Sequence, residues 1–172
     1  MAKDYGADRK LSPGSDAYVA RQKEADEMRA SGKYSSVEFD KKTGGIMAVE
    51  KGKARHKPEE KEAAEHMMHS GYRVVLKDET GEVRTPDGYI GHFTYEQRTP
   101  NVGTAKTVSK AMEHAKSKGA DVAVVYDKHA VYHRQTIEHG IRHYEQHNSY
   151  RLKRIIVISK AGNVYEHVHN DK

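Results

Sequence analysis

The sequence contains no cysteine, and this absence excludes two kinds of structure. Without thiols the chain forms no disulfide framework and no thiolate-bound metal site. It also has no apolar run approaching the ~20 residues of a membrane span or the core of a signal peptide. We therefore expect no membrane partner, and any export would need a larger parent polypeptide.

Tryptophan is absent as well, phenylalanine occurs twice, and only 35% of the residues are hydrophobic. A 172-residue chain of this kind buries one core of modest size. Charge is plentiful: the formal net charge is +5, before any of the 12 histidines gains a proton. A basic surface favours polyanions and speeds their capture, so the composition favours a nucleic-acid partner.

Several well-known nucleotide and hydrolase motifs are missing too. The chain has no P-loop, no dinucleotide-binding glycine pattern, no nucleophile elbow and no zinc-finger spacing. What it has is an alternation of helix and strand patterns after residue 36. A hairpin is predicted near 37–49, helices at 58–70, 101–117 and 133–147, and strands at 72–76, 88–90, 93–98 and 121–126, with a second hairpin at 152–168.

This order predicts an α+β fold with a central mixed or antiparallel sheet and about three helices. Residues 1–35 are polar and are interpreted as an N-terminal arm or linker, in which Ser15 and Gly32 would bound a helix. The domain itself spans residues 36–172, and the sequence alone does not decide between an arm that packs on it and an arm that does not. An acidic turn is expected at residues 78–81.

Two carboxylates in this order form a candidate site. Asp87 lies in a Pro-Asp-Gly turn, and Glu96 lies on the strand that follows. Carboxylates at neighbouring strand ends bind divalent cations such as Mg²⁺ that activate water. In the metal-dependent nuclease signature, however, a lysine follows two residues after the carboxylate, and this chain has Arg98. Arginine clamps phosphate but does not deprotonate.

Histidines after the 121–126 strand suggest a route without metal. His129 and His133 lie at a strand-to-helix junction, where catalytic groups are often displayed. A neutral imidazole takes the proton of an RNA 2′-hydroxyl, a second group protonates the leaving oxygen, and a cation stabilises the phosphorane. In this interpretation Glu96 and His129 or His133 transfer the protons, and Arg98 or Arg134 binds the phosphate. Further candidates for this site are Asp87, Thr99, Tyr132 and Arg134.

A separate set of basic side chains suggests nucleic-acid binding. Lys106 and Lys110 share one face of the 101–117 helix, and His139 and His143 share one face of the 133–147 helix. A solvated basic face is the more common role of such side chains on a helix, and phosphate contact is the functional alternative. We therefore include all four as candidate nucleic-acid contacts.

The order of these motifs resembles a known family. The segments VEFDKKTGG, EKEAAEHMMHSGYRVVL and TPDGYIGHFTYEQR are similar to nuclease domains at the C-termini of CdiA-type contact-dependent toxins and in phage or mobile-element head-morphogenesis proteins. The resemblance covers residues 37–168. It implies a barnase–EndoU–colicin–RelE-like fold and metal-independent RNA cleavage, often of tRNA. Glu62, Asp87, Glu96 and Arg98 occupy the matching positions, with Arg98 in place of the usual lysine.

Three hypotheses follow. The first is a toxin-like ribonuclease without cofactor, acting on RNA such as tRNA in the cytoplasm, delivered on a larger secreted or phage-borne polypeptide and restrained by an immunity-type inhibitor. The second is a metal-dependent nuclease with Mg²⁺ on Asp87 and Glu96. The third is a non-catalytic module of the same fold that binds nucleic acid or a protein partner.

Overall fold

The computed structural model describes residues 9–53, 55–78 and 85–168, and these form two compact units. We call residues 9–92 the N-terminal unit and residues 93–168 the C-terminal unit. Together the described residues contain four helices and eight strands, some pairs parallel and some antiparallel, so the predicted α+β class with mixed strand pairing is confirmed. None of the helices in these residues is long and apolar enough to cross a membrane.

The N-terminal unit begins with a helix that the polar composition only partly indicates. Helix α1 (Asp16–Ser31) starts where the Ser15 side chain accepts a hydrogen bond from the Tyr18 backbone N–H at 3.2 Å, and it ends at Gly32, whose φ of 71° is left-handed. Ala25 and Met28 of α1 are buried. They join a small apolar cluster with residues of the strands that follow, so the helix packs on this unit.

The strands of this unit are β1 (Tyr34–Phe39), β2 (Ile46–Glu50), β3 (Arg73–Leu76) and β4 (Gly88–Ile90), and α2 (Pro58–His69) connects β2 to β3. β1 and β2 form the predicted antiparallel hairpin, β2 and β3 are parallel, and β3 and β4 are antiparallel. Gly71, with φ of 94°, follows the end of α2. Most of the expected acidic turn, residues 79–81, lies outside the described residues.

The C-terminal unit is built from two strand–helix–strand crossovers and a final hairpin. Its elements are β5 (Phe93–Arg98), α3 (Ala105–Ser117), β6 (Val122–Asp127), α4 (Arg134–His147), β7 (Arg154–Ser159) and β8 (Val164–Val168). β5, β6 and β7 are mutually parallel, and β8 pairs antiparallel with β7. Every residue of β6 is buried, as expected for a central parallel strand.

Helices α3 and α4 both pack on one face of β6 and β7. Ala123 and Val125 of β6 share a core with apolar residues of both helices and with Ile155 and Val157 of β7. Because Glu96 pairs with Ala123 in the β5–β6 register, Glu96 lies on the same face. The register and the alternation of strand side chains thus direct Glu96 towards the helices.

Candidate functional site

Glu96 lies at the centre of a charged cluster in the C-terminal unit. Its side chain is 5% exposed, and its Oε2 atom is 2.7 Å from Nε2 of His114 and 3.6 Å from Nζ of Lys118. His114 lies in the last turn of α3 and Lys118 is the C-cap residue of that helix, and their side chains are 20% and 15% exposed. A carboxylate, an imidazole and an ammonium thus meet at the boundary between core and solvent.

The spacing of α3 explains how these two partners reach one carboxylate. Lys106, Lys110, His114 and Lys118 recur every four residues, so they form one stripe along the helix, which rises about 6 Å at each step. The opposite face carries Val108, Ala111, Met112 and Ala115, all buried. Since α3 returns beside β5, the last two members of this stripe, His114 and Lys118, reach Glu96.

Arg98 is the next residue on the Glu96 face of β5. It is exposed and pairs in register with Val125. Two residues of strand separate it from Glu96 by about 7 Å. Thr99 follows, and its hydroxyl accepts a hydrogen bond from the Gln97 side chain at 3.4 Å. Arg98 is therefore a cation open to solvent just beyond Glu96 on this strand.

The loop between β6 and α4 holds the predicted histidines in a defined conformation. The Asp127 carboxylate accepts hydrogen bonds from the backbone N–H groups of Val131 at 2.8 Å and Tyr132 at 3.2 Å. Ala130 has a left-handed φ of 52°. His129 is exposed on this loop, and His133 is the N-cap residue of α4. This loop therefore displays His129 and His133 beyond the end of β6.

Two other predicted residues beside this loop have packing partners. The Tyr132 hydroxyl is hydrogen-bonded to Thr107, and burial, reinforced by the Asp127 charge, raises the pKa of Tyr132 against the lowering effect of that bond. Arg134 pairs with Glu138 at 3.1 Å, and its guanidinium lies 5.0 Å from the ring centre of Tyr165. These contacts hold both side chains against neighbouring residues.

Asp87 belongs to the N-terminal unit, where it immediately precedes β4. It is 9% exposed, and its backbone carbonyl accepts a hydrogen bond from the backbone N–H of Lys77 at 3.0 Å. Among the described residues, no group of three or more His, Asp or Glu side chains is arranged to hold a metal ion.

Three of the four predicted nucleic-acid contacts meet in one groove between α3 and α4. The groove has a volume of about 370 Å³. Lys106, Lys110 and His143 line it, together with Ala105, Ser109 and Glu113. His139 is exposed one turn before His143 on α4 and does not line the groove.

His114, the histidine beside Glu96, is a candidate site residue that the sequence analysis did not single out. His114 and Lys118 share the four-residue repeat with Lys106 and Lys110, and that repeat was the available signal. The sequence could not tell which histidine faces Glu96, because the answer depends on the path of α3 beside β5.

Comparison with known proteins agrees with this fold. No protein-family model and no curated protein matches the chain. Its structure is similar to a chain of the CdiA-CT/CdiI toxin and immunity complex from Burkholderia pseudomallei, with 22% identity and a TM-score of 0.56. The similarity covers 70% of this chain and 98% of that chain. At this identity it shows a CdiA-CT toxin-like fold, and the expected resemblance is confirmed at that level.

Proposed function

We propose that this chain is a toxin-like nuclease that cleaves RNA without a metal ion. The observation that carries the proposal is the 2.7 Å contact between the buried Glu96 carboxylate and His114, with Lys118 beside it. A carboxylate hydrogen-bonded to an imidazole is the usual means of orienting a histidine for proton transfer. The toxin-like fold and the net charge of +5 support the same assignment.

The contact supports a role for His114 as the general base. With Nε2–H donated to Glu96, a neutral His114 carries its lone pair on Nδ1. That nitrogen takes the proton of the 2′-hydroxyl as the hydroxyl oxygen bonds to phosphorus. The bond from phosphorus to the 5′-oxygen then breaks, and a second group returns a proton to that oxygen. The products are a 2′,3′-cyclic phosphate and a free 5′-hydroxyl.

The remaining residues of the site divide between charge stabilisation and proton donation. Arg98, exposed on the Glu96 face of β5, would bind the phosphate oxygens that gain charge in the transition state. His129 and His133, on the loop that Asp127 holds, are the candidates for the proton donor. Arg134, Thr99 and Tyr132 would support these contacts.

Histidine substitutions test the proposal. Labelled tRNA and total RNA would be incubated with the purified chain, with His114→Asn and with the control His92→Asn, an exposed histidine of the N-terminal unit. We expect His114→Asn to lose about 10²–10⁴-fold in cleavage rate, since this is the usual contribution of an acid–base group. The control should match wild type. Intact RNA with wild-type protein would overturn the nuclease assignment and leave the non-catalytic binding module.

A metal-dependent nuclease is the second candidate. Asp87 and Glu96 are both buried carboxylates, which is unusual for acidic side chains. Lys118 also brings an ammonium to 3.6 Å from Glu96, which would offset the arginine at position 98. However, the described residues place no cluster of three donors for a metal, so we derive no step through one. Loss of cleavage in EDTA, restored by Mg²⁺, would favour this candidate.

The proposal extends to partners and delivery. The similar structure is described as a toxin and immunity complex, and we propose that a cognate immunity-type protein also restrains this chain. We further propose tRNA as the preferred RNA, a cytoplasmic site of action, and delivery as part of a larger secreted or phage-borne polypeptide. Co-purification of the chain with the product of an adjacent reading frame, together with loss of cleavage in the complex, would test the inhibitor.

A further inference from the structure

The groove between α3 and α4 is formed by two helices that approach closely. Gly140 of α4 lies so close to α3 that an added Cβ would be 2.6 Å from Cβ of Val108 and 2.7 Å from the carbonyl oxygen of Ala105. Nearby, the Ser109 hydroxyl is 3.5 Å from Nδ1 of His143. The groove therefore lies between packed helices rather than between loops, and its walls are fixed by the core beneath.

The side chains around the groove are suited to an anion. Lys106 and Lys110 are exposed, and His143 faces them from α4. Among the residues that the structure describes, Glu113 is the single acidic side chain lining the groove. Lysine and histidine bind phosphate oxygens through charge-assisted hydrogen bonds, which are stronger than those between neutral groups.

The neighbouring turn of α4 extends this surface. The His147 ring stacks on His143 with ring centres 4.3 Å apart, and Nδ1 of His147 donates to the His143 carbonyl at 2.8 Å. With Nδ1 committed to the helix backbone, Nε2 of His147 is the nitrogen left for a ligand. His139 lies one turn earlier on the same face.

Lys106 and Lys110, which line the groove, belong to the same helical stripe as the proposed catalytic cluster. Lys110 precedes His114 by one helical turn, or about 6 Å, on the stripe that ends at Lys118. A strand whose scissile phosphate lies at His114 would therefore place a neighbouring phosphate at Lys110 and the next near Lys106. The regular spacing of these side chains fits a series of backbone phosphates and not one isolated anion.

We propose that the α3–α4 groove binds the sugar–phosphate backbone of the RNA substrate beside the cleaved bond. This inference rests on the proposed function for its substrate, and Lys106, Lys110 and His143 are its phosphate contacts. Backbone contacts of this kind give affinity and register without reading sequence. They also make binding depend on salt, because each neutralised phosphate releases counterions.

Binding of an uncleavable RNA tests the groove separately from the chemistry. Fluorescence anisotropy with a fully 2′-O-methylated, single-stranded RNA would be measured across a salt series for wild type and Lys106→Ala/Lys110→Ala. We expect at least about tenfold weaker binding at low salt. The slope of log affinity against log salt should fall by about 1.4, since each phosphate contact on a single strand contributes about 0.7.

Matched variants separate this explanation from misfolding or general charge loss. Lys106→Arg/Lys110→Arg keeps the charge and should bind like wild type. Lys160→Ala, at an exposed turn between β7 and β8, should do the same. Glu113→Gln removes the acidic group and should bind more tightly.

Wild-type affinity and slope in Lys106→Ala/Lys110→Ala would overturn the inference, as would a wild-type chain that does not bind this RNA. If wild type binds the uncleavable RNA as expected but leaves natural RNA intact, the nuclease proposal fails and the groove assignment stands.

Discussion

Replacing Glu96 by glutamine separates a catalytic role for the cluster from a purely structural one. The amide keeps the shape of the side chain and can still accept hydrogen bonds, but the charge that His114 and Lys118 face is lost. Hydrogen bonds to charged groups contribute about 1.5–3 kcal/mol, and breaking a fully buried ion pair costs about 3–5 kcal/mol. His114 and Lys118 retain 20% and 15% side-chain exposure, so water compensates part of the loss. We expect the free energy of unfolding to fall by about 1–3 kcal/mol.

That magnitude is too small to abolish activity by unfolding. A domain with a free energy of unfolding of about 5 kcal/mol, the low end of the usual range, keeps roughly 97% of its molecules folded after losing 3 kcal/mol. The loss expected from removing the group that orients His114 is about 10²–10⁴-fold in rate. The two effects therefore differ by orders of magnitude and cannot be confused.

The assay combines urea unfolding with initial rates of RNA cleavage on the same preparations. Glu27→Gln is the control, because Glu27 pairs with Lys23 at 3.9 Å on an exposed face of α1, where an ion pair contributes little. Cleavage by Glu96→Gln within threefold of wild type, at an equal folded fraction, would refute the reasoning. Glu96 would then be a structural anchor for α3.

Two further predictions concern the helices that form the groove. Gly140→Ala should lower the free energy of unfolding by up to about 2 kcal/mol, because overpacking against Val108 costs about 1–3 kcal/mol and the gain in helix propensity returns about 1 kcal/mol. Urea unfolding, with the exposed Gln146→Ala as control, checks this, and a more stable variant would contradict it. Burial, with a contribution from Tyr150, raises the pKa of Tyr144 to about 12, so wild type should lose stability as pH rises from about 10 to 12. Tyr144→Phe lacks the 2.9 Å hydrogen bond to the Tyr150 carbonyl and should be about 0.5–1.5 kcal/mol less stable than wild type at pH 7. This difference in stability should narrow above pH 10, and a difference that stays constant to pH 11.5 would disprove the raised pKa of Tyr144.

Local sequence signals placed most of the elements. Ser15 and Gly32 predicted both ends of α1, and β7 and β8 form the hairpin predicted at 152–168. These features depend on capping and alternation, which act within a few residues. The packing of α1 was not predictable in the same way, because its apolar stripe is poor. Part of its anchoring is polar: Arg21 donates to the backbone carbonyls of Gly44 at 3.2 Å and Gly71 at 3.1 Å.

At the candidate site, the sequence did not predict which helix residues contact Glu96. The pairing of β5 with β6 places Glu96 and Arg98 on one face of β5, as the alternation of side chains along a strand requires. That alternation could not say that α3 returns along that face and brings His114 to Glu96, because this contact depends on the crossover between parallel strands. The sequence favoured His129 and His133 because they follow a buried strand, and their role as proton donors stays a prediction.

The most direct test of the central claim is the chemistry of the cut end. End-labelled tRNA would be incubated with the purified chain in EDTA, and the products analysed for their 3′ termini. Acid–base cleavage through His114 predicts continued activity and 2′,3′-cyclic phosphate ends in wild type, with neither in His114→Asn. Activity that disappears in EDTA and returns with Mg²⁺, leaving no cyclic phosphate, would contradict the account.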